Sequence, residues 1–219
     1  MKLKRIPKTV FIWLAAALLY IGFFLWHNGL GIPLSETEVN DYIKQIKAIH
    51  PDIEPEELEV FRAFCEADDG DDVVMFNAMK MYDTPRPVPN VPENETSMEV
   101  LNRYNRFVMP YLFKRGGHPI LVGKAVMDAP EVWGIENARK WTMGGMIRYR
   151  SRRDMVEMII NPEFQKVHQY KIAAMEKTVA FPVRPFVAVG GLDMVAALFL
   201  FALASFTHLV ICICRQKKN

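Results

Sequence analysis

A short set of residues in the middle of the chain could do chemistry: Asn77, His118, Trp141, Arg148, Tyr149 and His168. The two histidines are the acid–base or metal-ligand candidates, because imidazole titrates near neutral pH. Arg148 is the candidate anion holder. With Arg150, Arg152 and Arg153 it surrounds the start of a helix, where free N–H groups and the helix dipole favour a phosphate or carboxylate. Each residue also has a plainer reading. His168, four positions after Phe164 on a helix, reads more readily as a structural histidine, Tyr149 as a packed aromatic, and the arginines as partners of acidic helices. The sequence contains no nucleophile–base pair, glycine-rich phosphate loop, two-carboxylate arrangement or zinc-like Cys/His spacing. The run Asp68-Asp69-Gly70-Asp71-Asp72 lacks the alternating ligands and distal Glu of a calcium loop and reads as a solvated turn. The balance leans against an enzyme, leaves catalytic residues unassigned and predicts no metal site.

The elements that position these residues follow from periodicity. Thr142 to Tyr149 alternates with the two-residue period of a strand. Ser151, with Asp154 three positions on, opens a helix that Asn161-Pro162 interrupts and restarts through about Lys177, and a last strand covers Val179 to Val183. Upstream, Ser35 and Glu38 form a capping box for a helix ending near His50, and a second helix runs from Pro55 to about Ala67. Val73 to Tyr82 has the composition of a central strand with both faces largely apolar. Pro85, Pro87, Pro89 and Pro92 enforce a loop. Ser97 then caps a helix to about Arg115, kinked at Pro110, and His118 to Met127 forms another strand before a loop that carries Trp133. From Val73 the order is strand, helix, strand, strand, helix, strand. This is an α+β, ferredoxin-like βαββαβ order with an antiparallel sheet and helices on one face.

Lys114-Arg115-Gly116-Gly117-His118-Pro119, Arg148-Tyr149-Arg150-Ser151-Arg152, and Asn161-Pro162-Glu163-Phe164-Gln165 with His168 and Lys171 follow one another on these elements. In this the chain resembles the dimeric α+β barrel superfamily, and within it a branch of small bacterial domains of unknown function. The resemblance covers about Val73 to Val183. It implies a sheet whose uncovered face packs on the same face of a second copy. It also implies a small-molecule cleft between sheet and helices, with superfamily chemistries that range from cofactor-independent oxygenation to haem binding. No cofactor is expected from the residues themselves; haem or flavin enters only through the resemblance.

Hydrophobic residues make up 51% of the 219, and the excess sits at the two ends. Val10 to Trp26 carries no charge, and with the mild residues to Pro33 it reaches the roughly 20 residues of a bilayer crossing. An uncleaved anchor is favoured over a signal peptide, because Trp26-His27-Asn28 is no cleavage site. Phe186 to Cys214 is the second predicted crossing. It contains Asp193 and His208 as candidate intramembrane polar contacts, and Gly190, Gly191 and several alanines that permit close packing. Lys2, Lys4, Arg5 and Lys8, with Arg215, Lys217 and Lys218, make both tails basic. The rest of the chain is therefore acidic although the net charge is +2. Positive flanks place both termini in the cytoplasm and the middle region in the periplasm or outside the cell. Its acidity argues against nucleic acid, and Cys65, Cys212 and Cys214 form no disulfide framework.

The expected organisation is a tail over 1–9, a transmembrane helix over 10–32, a two-helix extension over 33–72, the α+β domain over 73–185, a second transmembrane helix over 186–214 and a tail over 215–219. The expected partners are the bilayer and either a second copy or a larger membrane complex. On this reading the chain is an accessory or assembly subunit whose outer domain dimerises or docks, with a small-molecule enzyme or ligand sensor as the alternative.

Overall fold

The computed structural model describes residues 7–186 and 191–216. The tail charges at Lys2, Lys4, Arg5, Lys217 and Lys218, and Gly190, lie outside the described residues. In chain order the elements are α1 (Lys8–Asn28), α2 (Glu36–Ile49), α3 (Pro55–Glu66), β1 (Val73–Met81), α4 (Ser97–Lys114), β2 (His118–Lys124), β3 (Met143–Tyr149), α5 (Arg152–Ile159), α6 (Pro162–Ala174), β4 (Met175–Val183) and α7 (Leu192–Gln216). They form two compact units, one containing α1 and α7 and the other spanning Asn28–Pro185.

In the first unit, α1 has 21 residues and α7 has 25. At about 1.5 Å per residue both are long enough, and apolar enough, to cross a hydrocarbon layer of about 30 Å. They touch through polar as well as apolar groups: Trp13 Nε1 donates to His208 Nδ1 at 3.0 Å, and the Trp13 and Phe201 rings lie 5.6 Å apart. The second helix starts later than the expected Phe186. Asp193 therefore stands in its first turn, where a carboxylate complements the helix dipole, rather than seven residues deep in an apolar run.

The second unit is built on a four-stranded sheet in the order β2-β3-β1-β4. All three pairings are antiparallel, with Asn77 opposite both Gly145 and Ala180. The connection from β1 to β2 runs through α4, and that from β3 to β4 through α5 and α6. The result is the ferredoxin-like α+β arrangement. Three clusters hold it together. Val73, Val108, Leu112, Tyr149, Met158 and Phe164 pack one end of the sheet under α4 and α6. Met81, Val100, Leu101, Ala173, Ala174 and Met175 pack the other. Val39, Tyr42, Ile43, Cys65 and Val156 seat α2 and α3 on α5. Burial there pushes the Cys65 thiol up to about 11, so it behaves as a small apolar group.

Local chemistry explains the boundaries. Ser35 and Glu38 close a full capping box on α2. Thr96, rather than Ser97, is the cap of α4 and does the same with Glu99, while the Ser97 hydroxyl donates to the Tyr82 carbonyl at 2.7 Å. β4 starts at Met175, four residues before the expected Val179, because Met175 and Lys177 pair with Met81 and Lys80 across a bulge, and this pairing overrides continuation of the helix. The acidic turn after α3 is held by arginines. Asp72 accepts from Arg148 Nε at 2.5 Å, and Asp69 and Asp71 pair with Arg184. Gly70, at φ +81, sits so close to Gly31 that an added Cβ would lie 2.4 Å from its carbonyl carbon, so only glycine fits.

Candidate functional site

Between the helix-covered face of the sheet and α4, α5 and α6 lies a cavity of about 410 Å³, within the roughly 300–1,000 Å³ range of small-molecule sites. Its floor is the inward set of the strand pleat: Met75, Asn77 and Met79 from β1, Met143, Gly145 and Ile147 from β3, and Pro119 and Val122 from β2. Its walls are Tyr104, Asn105, Val108 and Met109 from α4, Met155 and Met158 from α5, and Phe164, Gln165, His168 and Lys171 from α6. The room comes from two features. Gly145 puts no side chain over the floor, and the chain breaks between α5 and α6 at Ile160 and Asn161. Gln165 seals that break by donating to the Ile159 carbonyl at 2.6 Å.

Most of the polar groups lie on α4 and α6, with Asn77 and Tyr149 on the strands and His50 just beyond α2. His168 stacks on Phe164 at 5.2 Å between ring centres, and Tyr104 lies 6.3 Å away. Lys171, one turn further along α6, points its ammonium over the Tyr104 ring at 5.9 Å. Burial, reinforced by the neighbouring Lys171 charge, drives the His168 imidazolium down to about 4, so the ring is neutral at physiological pH. Burial also lowers Lys171 and raises the Tyr104 and Tyr149 phenols, Tyr149 to about 12. Among the described residues no Asp or Glu lines the cavity.

Three of the six sequence candidates meet here and three do not. Asn77, Tyr149 and His168 line the cavity, although Asn77 turns its amide back onto the Met75 carbonyl at 2.9 Å. His118 and Arg148 face the opposite side of the sheet. They pair with each other in register next to Pro119 and Ile147, which face inward, and strand alternation sends the neighbours outward. Nor is Arg148 an open anion holder: it is buried, bonds Asp72 and donates to the Gly116 carbonyl at 3.0 Å. The other arginines at the α5 start are also bound internally. Arg150 forks onto Asp154 at 2.7 and 2.9 Å, and Arg153 pairs with Glu38, whose carboxyl is held down at about 2 by that bond. Trp141 lies at a different groove, donating to the Ala138 carbonyl at 2.7 Å under the Lys177 ammonium. Sequence reasoning missed Tyr104, Asn105 and Lys171 as cavity residues. The spacing of His168 and Lys171 on one helix face was the available signal for the last.

Haem is a poor match to this lining. Its two imidazoles are His168, which lies flat on Phe164, and His50, and the lining provides one lysine for two propionates.

The second groove, about 540 Å³, is on the open face of the sheet, between Phe76, Ala78, Val179 and Phe181 and the loop that carries Trp133 and Ile135. Phe76 and Phe181 lie 5.3 Å apart across β1 and β4. Beside them Leu121, Val179 and Phe181 are about half exposed, and Trp133 is 81% exposed.

No family model and no curated protein matches the chain. Among solved structures, two of one Rhodopseudomonas palustris protein of unknown function resemble it. The methylated form has 23% identity and a TM-score of 0.50 over 64% of this chain and 97% of that one. The other has 22% identity and a TM-score of 0.49 over 59% and 94%. A dimeric protein of unknown function and ferredoxin-like fold from Bacteroides fragilis aligns more loosely, with 12% identity and a TM-score of 0.31 over 52% of this chain and 96% of that one. At these identities the likeness is one of fold alone.

Proposed function

We propose that the chain is a membrane-anchored binding protein whose ferredoxin-like domain takes a small, mainly apolar molecule between its sheet and helices. The observation that carries this reading is the cavity itself, apolar on its floor and lined on its helical side by Tyr104, His168 and Lys171. No nucleophile–base pair accompanies them, so binding or sensing is favoured over turnover. The experiment is a screen of soluble aromatic and aliphatic molecules against the full chain in lipid nanodiscs, read by thermal shift. Stabilisation that disappears when Gly145→Val fills the cavity supports the reading, and a screen without any stabilising compound removes it. An ordinary protein absorption spectrum, without a visible band, is expected of the purified chain.

The accessory-subunit reading rests on a different observation, the exposed apolar row Leu121, Val179 and Phe181 on the sheet face away from the helices. A second copy packed on that face would cover it, and a larger membrane complex is the other candidate. α1 and α7 serve in either case as anchors, with both termini cytoplasmic and the domain outside. Protease added to the outer side of sealed vesicles tests that orientation: it should degrade the domain, and full protection would reverse the topology.

A further inference from the structure

Among the described residues Lys171 is the one cation of the cavity apart from its histidines, and no carboxylate shares the cavity with it. Among the described residues no hydrogen bond or ion pair reaches its ammonium, which has only the face of Tyr104 at 5.9 Å. Other cations of the domain that are drawn away from water behave differently. Arg148, Arg150 and Arg153 each meet a carboxylate. Lys171 is half-buried, and a charge partly withdrawn from water is costly until a counter-charge reaches it. The lining histidines, His50 and His168, cannot supply one, since an imidazole is either neutral or itself a cation. Along the rest of the lining, methionine and aliphatic side chains offer a polarisable, adaptable surface for a hydrocarbon body. Asn105 and Gln165, near the same helices, can donate to a second oxygen.

Resting on the binding reading above, we propose that the cavity selects an apolar carboxylate, with Lys171 of α6 holding the anionic head and the methionine-lined floor taking the hydrocarbon. The missing carboxylate of the lining is then supplied by the ligand. Lys171 sets which head group is accepted, and the floor sets the shape of the tail. A neutral molecule with the same tail fits the space but leaves the ammonium without a partner. An amine head is repelled.

The test uses three probes with one tail, octanoate, octanol and octylamine, and the full chain in nanodiscs with methionine methyls labelled by carbon-13. Met79, Met143 and Met158 report occupancy of the cavity itself, so partition into lipid does not register. Octanoate should shift these methyls at concentrations about tenfold lower than octanol, the usual worth of a charge-assisted contact, and octylamine should be weakest. Lys171→Met should erase the gap between octanoate and octanol without weakening octanol. Lys171→Arg should keep the gap. Lys171→Gln serves as a second neutral variant, and the unliganded methyl spectrum checks that each variant is folded. Equal binding of octanoate and octanol, or a gap that survives Lys171→Met, overturns the anion assignment and leaves the cavity as a neutral site. Unmoved methyls with all three probes overturn the binding reading and this inference together.

Discussion

His168 shows how a single side chain reports on its pocket. Stacked on Phe164 and next to Lys171, it binds its proton only at about 4, against an ordinary 6.5. The unfolded chain takes up that proton as pH falls through 6.5 and the folded chain does not, so stability should fall from 6.5 downward and the penalty should be complete below 4. His118 is lowered as well, by burial and the Arg148 charge, so the whole acid response does not belong to one ring. Its own share is read from a variant: His168→Phe should flatten part of the fall in melting temperature over that window. Parallel curves for the two proteins would refute the assignment. Glu38 acts lower down, between 4.5 and about 2, and does not interfere. At this scale legibility was uneven. Residue type alone suggested both histidines and Tyr149, but type does not say which side of a pleat a side chain occupies. His118 and Arg148 were lost to the outward face for that reason. Lys171 was passed over because a lysine on a helix usually points to water, and its half-burial depends on how α6 packs against α4 and the sheet.

At the scale of elements, local signals did most of the placing. Capping residues, the Asn161-Pro162 step and two-residue alternation located the strands and helices of the domain to within a few residues. The exceptions arise where pairing between distant segments decides. β4 gains Met175 to Thr178 from its ladder with β1, and the second apolar helix starts at Leu192. α5 forms one wall of the cavity through Met155 and Met158. It is only eight residues long, and its cap Ser151 accepts from the Asp154 amide at 3.2 Å. A helix this short has little intrinsic stability. Ser151→Ala should therefore cost about 1 kcal/mol in denaturant unfolding, and it should loosen Met155 and Met158 in methyl spectra before the sheet responds. An unchanged unfolding midpoint would mean that packing on α3 holds α5 without the cap.

For the whole molecule, the open face of the sheet is the feature that could decide assembly. Val179 and Phe181 stand about half exposed beside Phe76, and a row of this kind on an antiparallel sheet is tolerated in water only when something covers it or when charges interrupt it. Phe181→Asp introduces such a charge without disturbing the buried clusters. If this face joins two copies, native mass measurement in mild detergent should show dimers for the parent and monomers for the variant, with similar thermal stability of the domain fold. Dimers in both would assign self-association to another surface, and monomers in both would argue for a different partner. The composition of β1 already suggested this face, since both of its sides are apolar. The loop carrying Trp133 over part of it was legible only as a loop, because where a turn-rich segment lies depends on the surface beneath it.

Gly145, in the middle of the cavity floor, has one more consequence. A methyl added there would meet the Leu121 carbonyl at 3.4 Å and the Met79 and Val122 side chains at 3.8 Å, all ordinary contacts. Sterics therefore do not require glycine, and glycine inside a strand is a weak choice, by roughly 0.5–1 kcal/mol relative to alanine. Gly145→Ala should raise the melting temperature of the unliganded chain and, by narrowing the floor, reduce the thermal shift that any occupant produces. The native sequence thus keeps a softer strand in exchange for open volume, and the resting protein is less stable than its fold allows until something fills the space.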